Sequence, residues 1–442
     1  MDVLRLYVIT YNVATKSPEG KLLEILGLPE NVNQKTNLPD FYLIGLQEVK
    51  SQPHNYVIDA LFDDPWTNAF RQALIPYGYV KARTVRLVGL VLSVFCLRKH
   101  VVHLRDMESR VTRTGLMGFW GNKGGVTLRL QVYGCSLCFV NSHFAAHDHL
   151  LKERISDYNT VLNSQGFSFS ETTSILFHDY VFWFGDFNFR LNNSDSLKSP
   201  DIDQKVKTGN LASLLEQDQL KAVMVSGEAF SELKESEISF PPTYKYKFQS
   251  NEYDLGRRPA WTDRILYKVN ANVYENITLE AEQESYSSIQ NFSVSDHKPV
   301  VGLFSVKVFC NYAERVVKFL PIQSWYTNQE NLAHCIMGSD VTPSPYDWVG
   351  IYRDDFTSLD EYYGFVYVMR HNGDSGNGMP GLQIPCPKPG DRLELRFYEN
   401  IIRFPRKYRL LYFSHDSGSV LGMSSSFELK VRDRQASTHL DW

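Results

Sequence analysis

The chain has 442 residues, 43% hydrophobic and 22% charged, with 27 Phe and 25 Tyr. That is globular composition at a length suited to two or three domains, and it excludes disorder as the main state. The 46 basic and 50 acidic side chains leave a formal charge of −4, which argues against a chain built to neutralise nucleic-acid phosphates.

Six Cys make no disulfide framework, so a reducing, cytoplasmic compartment is expected. The longest apolar run, Leu87 to Leu97, lies between Arg86 and Arg98. A membrane span needs about 20 residues. The run therefore predicts a buried strand, and any membrane contact would be peripheral.

In chain order, residues 4–9 read as a strand ending at Asn12, and residues 41–46 as one ending at Glu48. Asp64 and Pro65 predict a helix start, with Trp66, Ala69, Phe70, Ala73 and Leu74 on one face. Residues 137–140 run to His143, and residues 180–184 run to Asp186 and Asn188. Leu211, Leu214 and Leu215 mark a further amphipathic stretch. Strand-like runs then start after Asp263 and after the pair Asp296-His297. Strands mixed with helices predict an α/β or α+β sandwich, with helices outside two packed sheets. From about residue 315 the helical period disappears. Short strands such as 348–352 and 408–413 are separated by turn clusters such as 372–378, which predicts an all-β sandwich.

The polar residues sit at strand ends and strand starts. Asn12, Glu48, His143, Asp186 and Asn188 follow apolar strands, whereas Asp263 and Asp296-His297 precede them. With suitable strand directions they meet at one edge of the sandwich. Taken singly, each has an ordinary explanation: a solvated acid, a structural histidine, a turn residue. Together they predict a site, and crowded carboxylates without thiolates call for a hard cation such as Mg²⁺. Gly121-Asn122-Lys123-Gly124-Gly125 suits either a phosphate cradle or a hairpin turn. Just before it, Leu116, Met117, Phe119 and Trp120 suit either core packing or contact with acyl chains. Tyr244, Lys245, Arg257 and Arg258 add polar and cationic groups near Asp263. Cys386 and Arg392 have the C-x₅-R spacing of a cysteine phosphatase. Pro387 and Pro389 remove backbone donors there, so the segment reads as a turn.

Several segments resemble the inositol polyphosphate 5-phosphatase family. They include Thr10-Tyr11-Asn12-Val13, Gly45-Leu46-Gln47-Glu48, Gly121-Asn122-Lys123-Gly124-Gly125-Val126 and Asn141-Ser142-His143. The others are Trp183-Phe184-Gly185-Asp186-Phe187-Asn188-Phe189-Arg190, Pro242-Thr243-Tyr244-Lys245-Tyr246, Pro259-Ala260-Trp261-Thr262-Asp263-Arg264 and Ser295-Asp296-His297-Lys298-Pro299. The resemblance implies a four-layer αββα sandwich of the endonuclease/exonuclease/phosphatase type over residues 1–308. Residues 346–353 resemble a SKICH domain, implying an Ig-like β sandwich over 315–432 that serves localisation.

The family's activity is Mg²⁺-dependent removal of the 5-phosphate from phosphoinositides, PtdIns(4,5)P₂ or PtdIns(3,4,5)P₃, or from soluble inositol phosphates. Carried over residue by residue, the resemblance implies Glu48 and Asp296 at the metal, with Asn12 beside them. Asp186 acts as base on a water held by Asn188. His297 meets the scissile phosphate with its tautomer set by Asp263, and His143 supports that phosphate from another side. Asn122, Lys123, Tyr244, Lys245, Arg257 and Arg258 bind the other headgroup phosphates. Leu255 stands where the family has a phosphate-contacting lysine, and Arg258 is the cation that would compensate for it. The implied partners are a phosphoinositide lipid, a membrane met peripherally at the endoplasmic reticulum or plasma membrane, and a protein bound by the SKICH-like domain. A nuclease of the same superfamily and a non-catalytic scaffold are the rival readings.

Overall fold

In the computed structural model, which describes residues 2–32, 37–50, 64–114, 123–192, 195–271, 277–309, 316–368, 388, 390–399 and 401–431, the apolar runs become strands. Residues 115–122, with the apolar loop and Asn122, lie outside the described residues, as do the turn cluster 372–378 and Cys386. The chain divides into two units. One is Met1–Arg98 with Glu108–Asn311; the other is Lys99–Met107 with Tyr312–Trp442.

The first unit carries two sheets. One contains β1 (Asp2–Asn12), β2 (Phe41–Gln47), β3 (Tyr79–Leu87), β4 (Leu90–Leu97), β10 (Ala281–Ser288) and β11 (Val300–Val308), in the order β10-β11-β1-β2-β4-β3. The other contains β5 (Arg105–Thr114, its first three residues counted with the other unit), β6 (Lys123–Val132), β7 (Cys135–His143), β8 (Tyr180–Asp186) and β9 (Asp263–Val269), in sequence order. β1 and β2 run parallel, as do β7 and β8. β11 is antiparallel to β1, and β9 to β8. The run at residues 87–97 is not one strand. Val88, at φ 54°, begins a turn between Leu87 of β3 and the buried β4.

The sheets pack face to face. Phe182 meets Phe304 with ring centroids 5.0 Å apart. A Cβ on Gly45 would lie 2.6 Å from the Phe184 ring, so the approach there requires glycine. Helices cover the outer faces. Asp64 caps α2 (Pro65–Leu74) by accepting from the Trp66 and Thr67 amides. Trp66, Phe70 and Leu74 then pack on Ile9 and Tyr11. On the other sheet, Tyr158 and Val161 of α3 (Leu151–Ser164) and Leu220 and Val223 of α6 (Gln219–Ser226) pack on Val140 and Trp183. Between them in sequence lie α4 (Ser199–Lys207) and α5 (Ala212–Leu215), and α1 is Leu22–Ile25. Each such large apolar side chain, fully buried, contributes roughly 1.5–3 kcal/mol. Helix, sheet, sheet, helix is the αββα order.

The second unit is all-β over its C-terminal stretch. β12 (Val317–Phe319), β14 (Asn331–Met337) and β17 (Arg392–Phe397) form one sheet. β13 (Trp325–Tyr326), β20 (Phe427–Lys430), β18 (Lys407–Ser414), β15 (Trp348–Arg353) and β16 (Gly364–Tyr367) form the other, with β19 (Ser419–Met423) also paired to β18. Their inward residues, among them Trp325, Cys335, Ile351, Leu395 and Leu410, make one core. Among the described residues, no helix is long and apolar enough to cross a membrane.

Candidate active site

Strand direction assembles the site. At the end of the second sheet, Gly124 pairs with His143, His143 with Asp186, and Asp186 with Asp263. Register partners share a sheet face, so three ionisable side chains stand in one row. At the matching end of the first sheet, Asn12 pairs with Gln47, which puts Glu48 one residue beyond the strand. β11 starts beside β1, with Thr10 opposite Val300, so Asp296 and His297 arrive from the opposite direction. Ser295 Oγ fixes that arrival by donating to the Asn12 carbonyl at 2.7 Å. Below the site, Gln47 Nε2 donates to Asn141 Oδ1 at 2.7 Å, and Asn141 Nδ2 donates to the Leu46 and Val91 carbonyls. This polar link ties the two sheets together.

Asp186 is the hub. Asn12 Nδ2 donates to its Oδ2 at 2.9 Å and to Glu48 Oε1 at 3.2 Å. His143 Nε2 lies 3.3 Å from Asp186 and 3.8 Å from Glu48, and Lys123 Nζ also contacts that ring nitrogen. The Asn188 amide donates to Asp186 Oδ1 at 3.1 Å. The Asn188 side chain donates through Nδ2 to the Phe144 carbonyl, which leaves the second side-chain N–H for another acceptor. Glu48 (φ 56°) and Asn188 (φ 58°) both occupy the left-handed region, a conformation that clusters at functional sites.

His297 is held from behind. Its Nδ1 lies 2.9 Å from Asp263 Oδ2, and its Nε2 faces Asp186 at 3.9 Å. Thr243 Oγ1 and Thr262 Oγ1 donate to the same Asp263 oxygen at 2.6 and 2.9 Å. Burial works against a charged imidazole here. The Asp263 charge and hydrogen bond, with Asp186 and Asp296 behind them, prevail and raise His297 to about 9. Burial, reinforced by the Lys123 charge, lowers His143, which is therefore neutral near pH 7. Burial alone would raise the Asp186 carboxyl. The hydrogen bond with His143 and the nearby positive charges hold it well below the carboxylate range instead. Burial also lowers Lys123, partly offset by Asp186 and Glu48.

With this geometry in hand, the chain can be set beside known proteins. Residues 9–303 match the endonuclease/exonuclease/phosphatase family 2, and residues 317–429 match the SKICH domain. Inositol polyphosphate 5-phosphatase K of Mus musculus is 31% identical, over 97% of this chain and 90% of its own length. Phosphatidylinositol 4,5-bisphosphate 5-phosphatase A of Homo sapiens is 32% identical over 97% of this chain, and the chain spans 42% of that longer protein. A crystal structure of the inositol polyphosphate 5-phosphatase domain of SPsynaptojanin, in complex with inositol (1,4)-bisphosphate and calcium ion, has 33% identity. It covers 70% of this chain and 86% of its own, at a TM-score of 0.58. This chain belongs to the inositol polyphosphate 5-phosphatase family.

The residues present suit the divalent ion expected of a 5-phosphatase. Glu48 and Asp186 offer hard oxygens bridged by Asn12, and Glu48 is 34% exposed toward solvent. Asp186, Asp263 and His297 also place ligand atoms within 4.8 Å of one another. Among the described residues, buried Asp263 Oδ1 and His143 Nδ1 have no hydrogen-bond partner. Asp296 lies 3.6 Å from Lys245. Oxygen donors without a thiolate favour Mg²⁺-type ions.

The predicted 5-phosphatase headgroup residues divide into two sets. Lys123, Tyr244 and Lys245 stand at the site. The Tyr244 ring lies 4.5 Å from the His297 ring, and Lys245 Nζ lies 3.6 Å from both Asp254 and Asp296. Arg257 is exposed beside His147. Arg258 is held by Asp148 (3.0 Å) and by the carbonyls of Leu191, Asn192 and Leu197. Gly124 and Gly125 belong to β6. A Cβ on Gly124 would lie 2.0 Å from the Thr112 carbonyl, so strand packing explains that glycine without a phosphate. Arg190 was missed as a site residue. It donates to Asn188 Oδ1 at 2.5 Å and lies 4.7 Å over the Tyr244 ring. Its place in the Trp183–Arg190 motif was the available signal. Thr243, Thr262 and Ser295 were missed because their partners are set by tertiary contacts.

Proposed function

We propose that this protein is a Mg²⁺-dependent phosphoinositide 5-phosphatase, acting on PtdIns(4,5)P₂ or PtdIns(3,4,5)P₃ and on soluble inositol polyphosphates, and so dampening phosphoinositide signalling. The observation that carries the reading is the meeting of Asp186 with Asn12, His143 and the Asp263-held His297. Hydrolysis of a phosphate monoester is very slow in water, so positioning and charge neutralisation must supply the acceleration.

Glu48 and Asp296, with Asn12 alongside, would hold the ion. Its chemistry there is neutralisation of phosphoryl oxygens and of the alkoxide developing on the inositol ring. Asp186 orients the attacking water and takes its proton, and Asn188 holds that water with its remaining N–H. His297, as an imidazolium, donates to the scissile phosphate, while Asp263 keeps the ring charged and aimed. His143 and Lys123 meet the same group from the other side. An arriving phosphate cancels part of the positive field around Asp186 and so raises its proton affinity, which makes it a better base in the complex than in the free protein. Tyr244, Lys245 and Arg257 bind the remaining phosphates, with Asn122 and Arg258 assigned to that set on the family resemblance. On this reading the protein works in the cytoplasm, peripherally at the endoplasmic reticulum or plasma membrane, and its C-terminal sandwich also receives a protein partner.

Phosphate release should be measured over a panel of phosphoinositides and soluble inositol phosphates. Activity should vanish with chelator and return with Mg²⁺. Asp186→Asn and His297→Ala should each lower kcat/KM by roughly 10²–10⁴ with the fold intact. Full turnover in either variant would refute the assigned roles.

A further inference from the structure

The connection from β17 to β18 carries five consecutive exposed residues, Arg403-Phe404-Pro405-Arg406-Lys407. Phe404 is 65% exposed, although Ile402 before it and Tyr408 after it are buried in the sandwich core. The segment is nevertheless tied down. Tyr408 Oη donates to the Phe404 carbonyl at 2.8 Å, the Leu429 amide to the Arg406 carbonyl at 2.9 Å, and the Asp354 amide to the Lys407 carbonyl at 3.0 Å.

The charge on this ledge is one-sided. Among the described residues, Arg403, Arg406 and Lys407 form no ion pair. The neighbouring acids have other partners: Asp354 pairs with Arg409, Asp355 with Arg353, and Glu428, opposite Lys407 in register, with Lys430. Glu399 is the one acid on the connection itself.

We infer that residues 403–407 dock the C-terminal sandwich on an anionic phospholipid surface. Phe404 enters the boundary between headgroups and acyl chains, and the three cations lie along the headgroups with their apolar stems against the bilayer. Charge complementarity identifies the occupant, because a projecting ring needs no shaped pocket in a bilayer. The inference names the surface for the peripheral contact proposed above, and the vesicle binding that tests it requires no turnover.

The full chain should be sedimented with phosphatidylcholine vesicles, with and without phosphatidylserine, and free of phosphoinositide. Binding should need phosphatidylserine and weaken with salt. Each cation near such a surface is worth roughly fivefold in partitioning, so Arg403→Gln/Arg406→Gln/Lys407→Gln should lose on the order of 100-fold. Phe404→Trp should show blue-shifted emission on the anionic vesicles, and all variants should hydrolyse soluble inositol phosphate at the wild-type rate. Wild-type partitioning by the triple variant would overturn the inference. So would equal binding to neutral vesicles, or a wild-type chain that captures a soluble acidic protein but ignores the vesicles.

Discussion

Asp186 receives bonds from Asn12 and from the Asn188 amide, lies 3.3 Å from His143, and faces His297 at 3.9 Å. A carboxylate so surrounded gives up its proton early, so the acid side of the activity profile should lie below the ordinary carboxylate range. The alkaline side should belong to His297. Raised to about 9 chiefly by Asp263 against burial, it is charged at neutral pH. Its folded value exceeds its unfolded one, so the stabilisation and the donor function are complete below the ordinary histidine value. Both are lost as pH rises through about 9. Asp263→Asn removes the main raising charge and leaves the burial. The alkaline limb of kcat/KM should therefore move to lower pH by at least one unit, roughly, as a pH-rate profile would show. An unmoved limb would dissociate His297 from it.

At the scale of elements, one residue beyond Asp263 the buried Arg264 holds β9 in place. Its Nη1 meets both Asp218 oxygens at 3.0 Å, and its Nε meets Glu235 at 2.7 Å. Tyr286 Oη adds a bond to Glu235 at 2.8 Å, and Asp218 also caps α6 through the Lys221 amide. One guanidinium thus joins the strand that carries Asp263, a helix start and a loop. Replacing it with an apolar side chain leaves two buried acids without a cation. Arg264→Met should therefore destabilise by roughly 3–5 kcal/mol, seen as a lower urea midpoint at unchanged slope.

Across the whole molecule, buried thiols report on each unit separately. Cys96, Cys135 and Cys138 lie in the first unit and Cys335 in the second, all buried. Burial raises each of them, with Cys135 and Cys335 pushed up to about 12. A thiol at such a value has almost no thiolate near pH 7 and reacts only when its surroundings open. In a Cys310→Ser/Cys386→Ser background, a thiol reagent should leave all four unlabelled in native buffer. Mild urea should then release Cys335 separately from the other three if the units open independently. Rapid native labelling of Cys138 would contradict the packing of β7.

Much of this was legible in the chain itself. The apolar runs ending in Asn12, Glu48, His143 and Asp186 specified strands with polar tips, because an apolar strand must be buried and its end must return to water. The Asp64-Pro65 start and the Trp66–Leu74 face specified α2 for equally local reasons. The loss of helical period after about residue 315 foretold the second, all-β unit. What waited for the tertiary structure was pairing across long separations. Parallel β1–β2 and β7–β8, set against antiparallel β11 and β9, bring residues 12 and 297 to one end of the two sheets. Nothing local distinguishes Arg258, turned to the carbonyls near residues 191–197, from Arg190, stacked on Tyr244. Strand tips follow from hydrophobic pattern and turn chemistry, which are read over a few residues. Which tips meet, and which cation faces inward, depends on sheet order and packing, whose energy exists only after distant segments have come together.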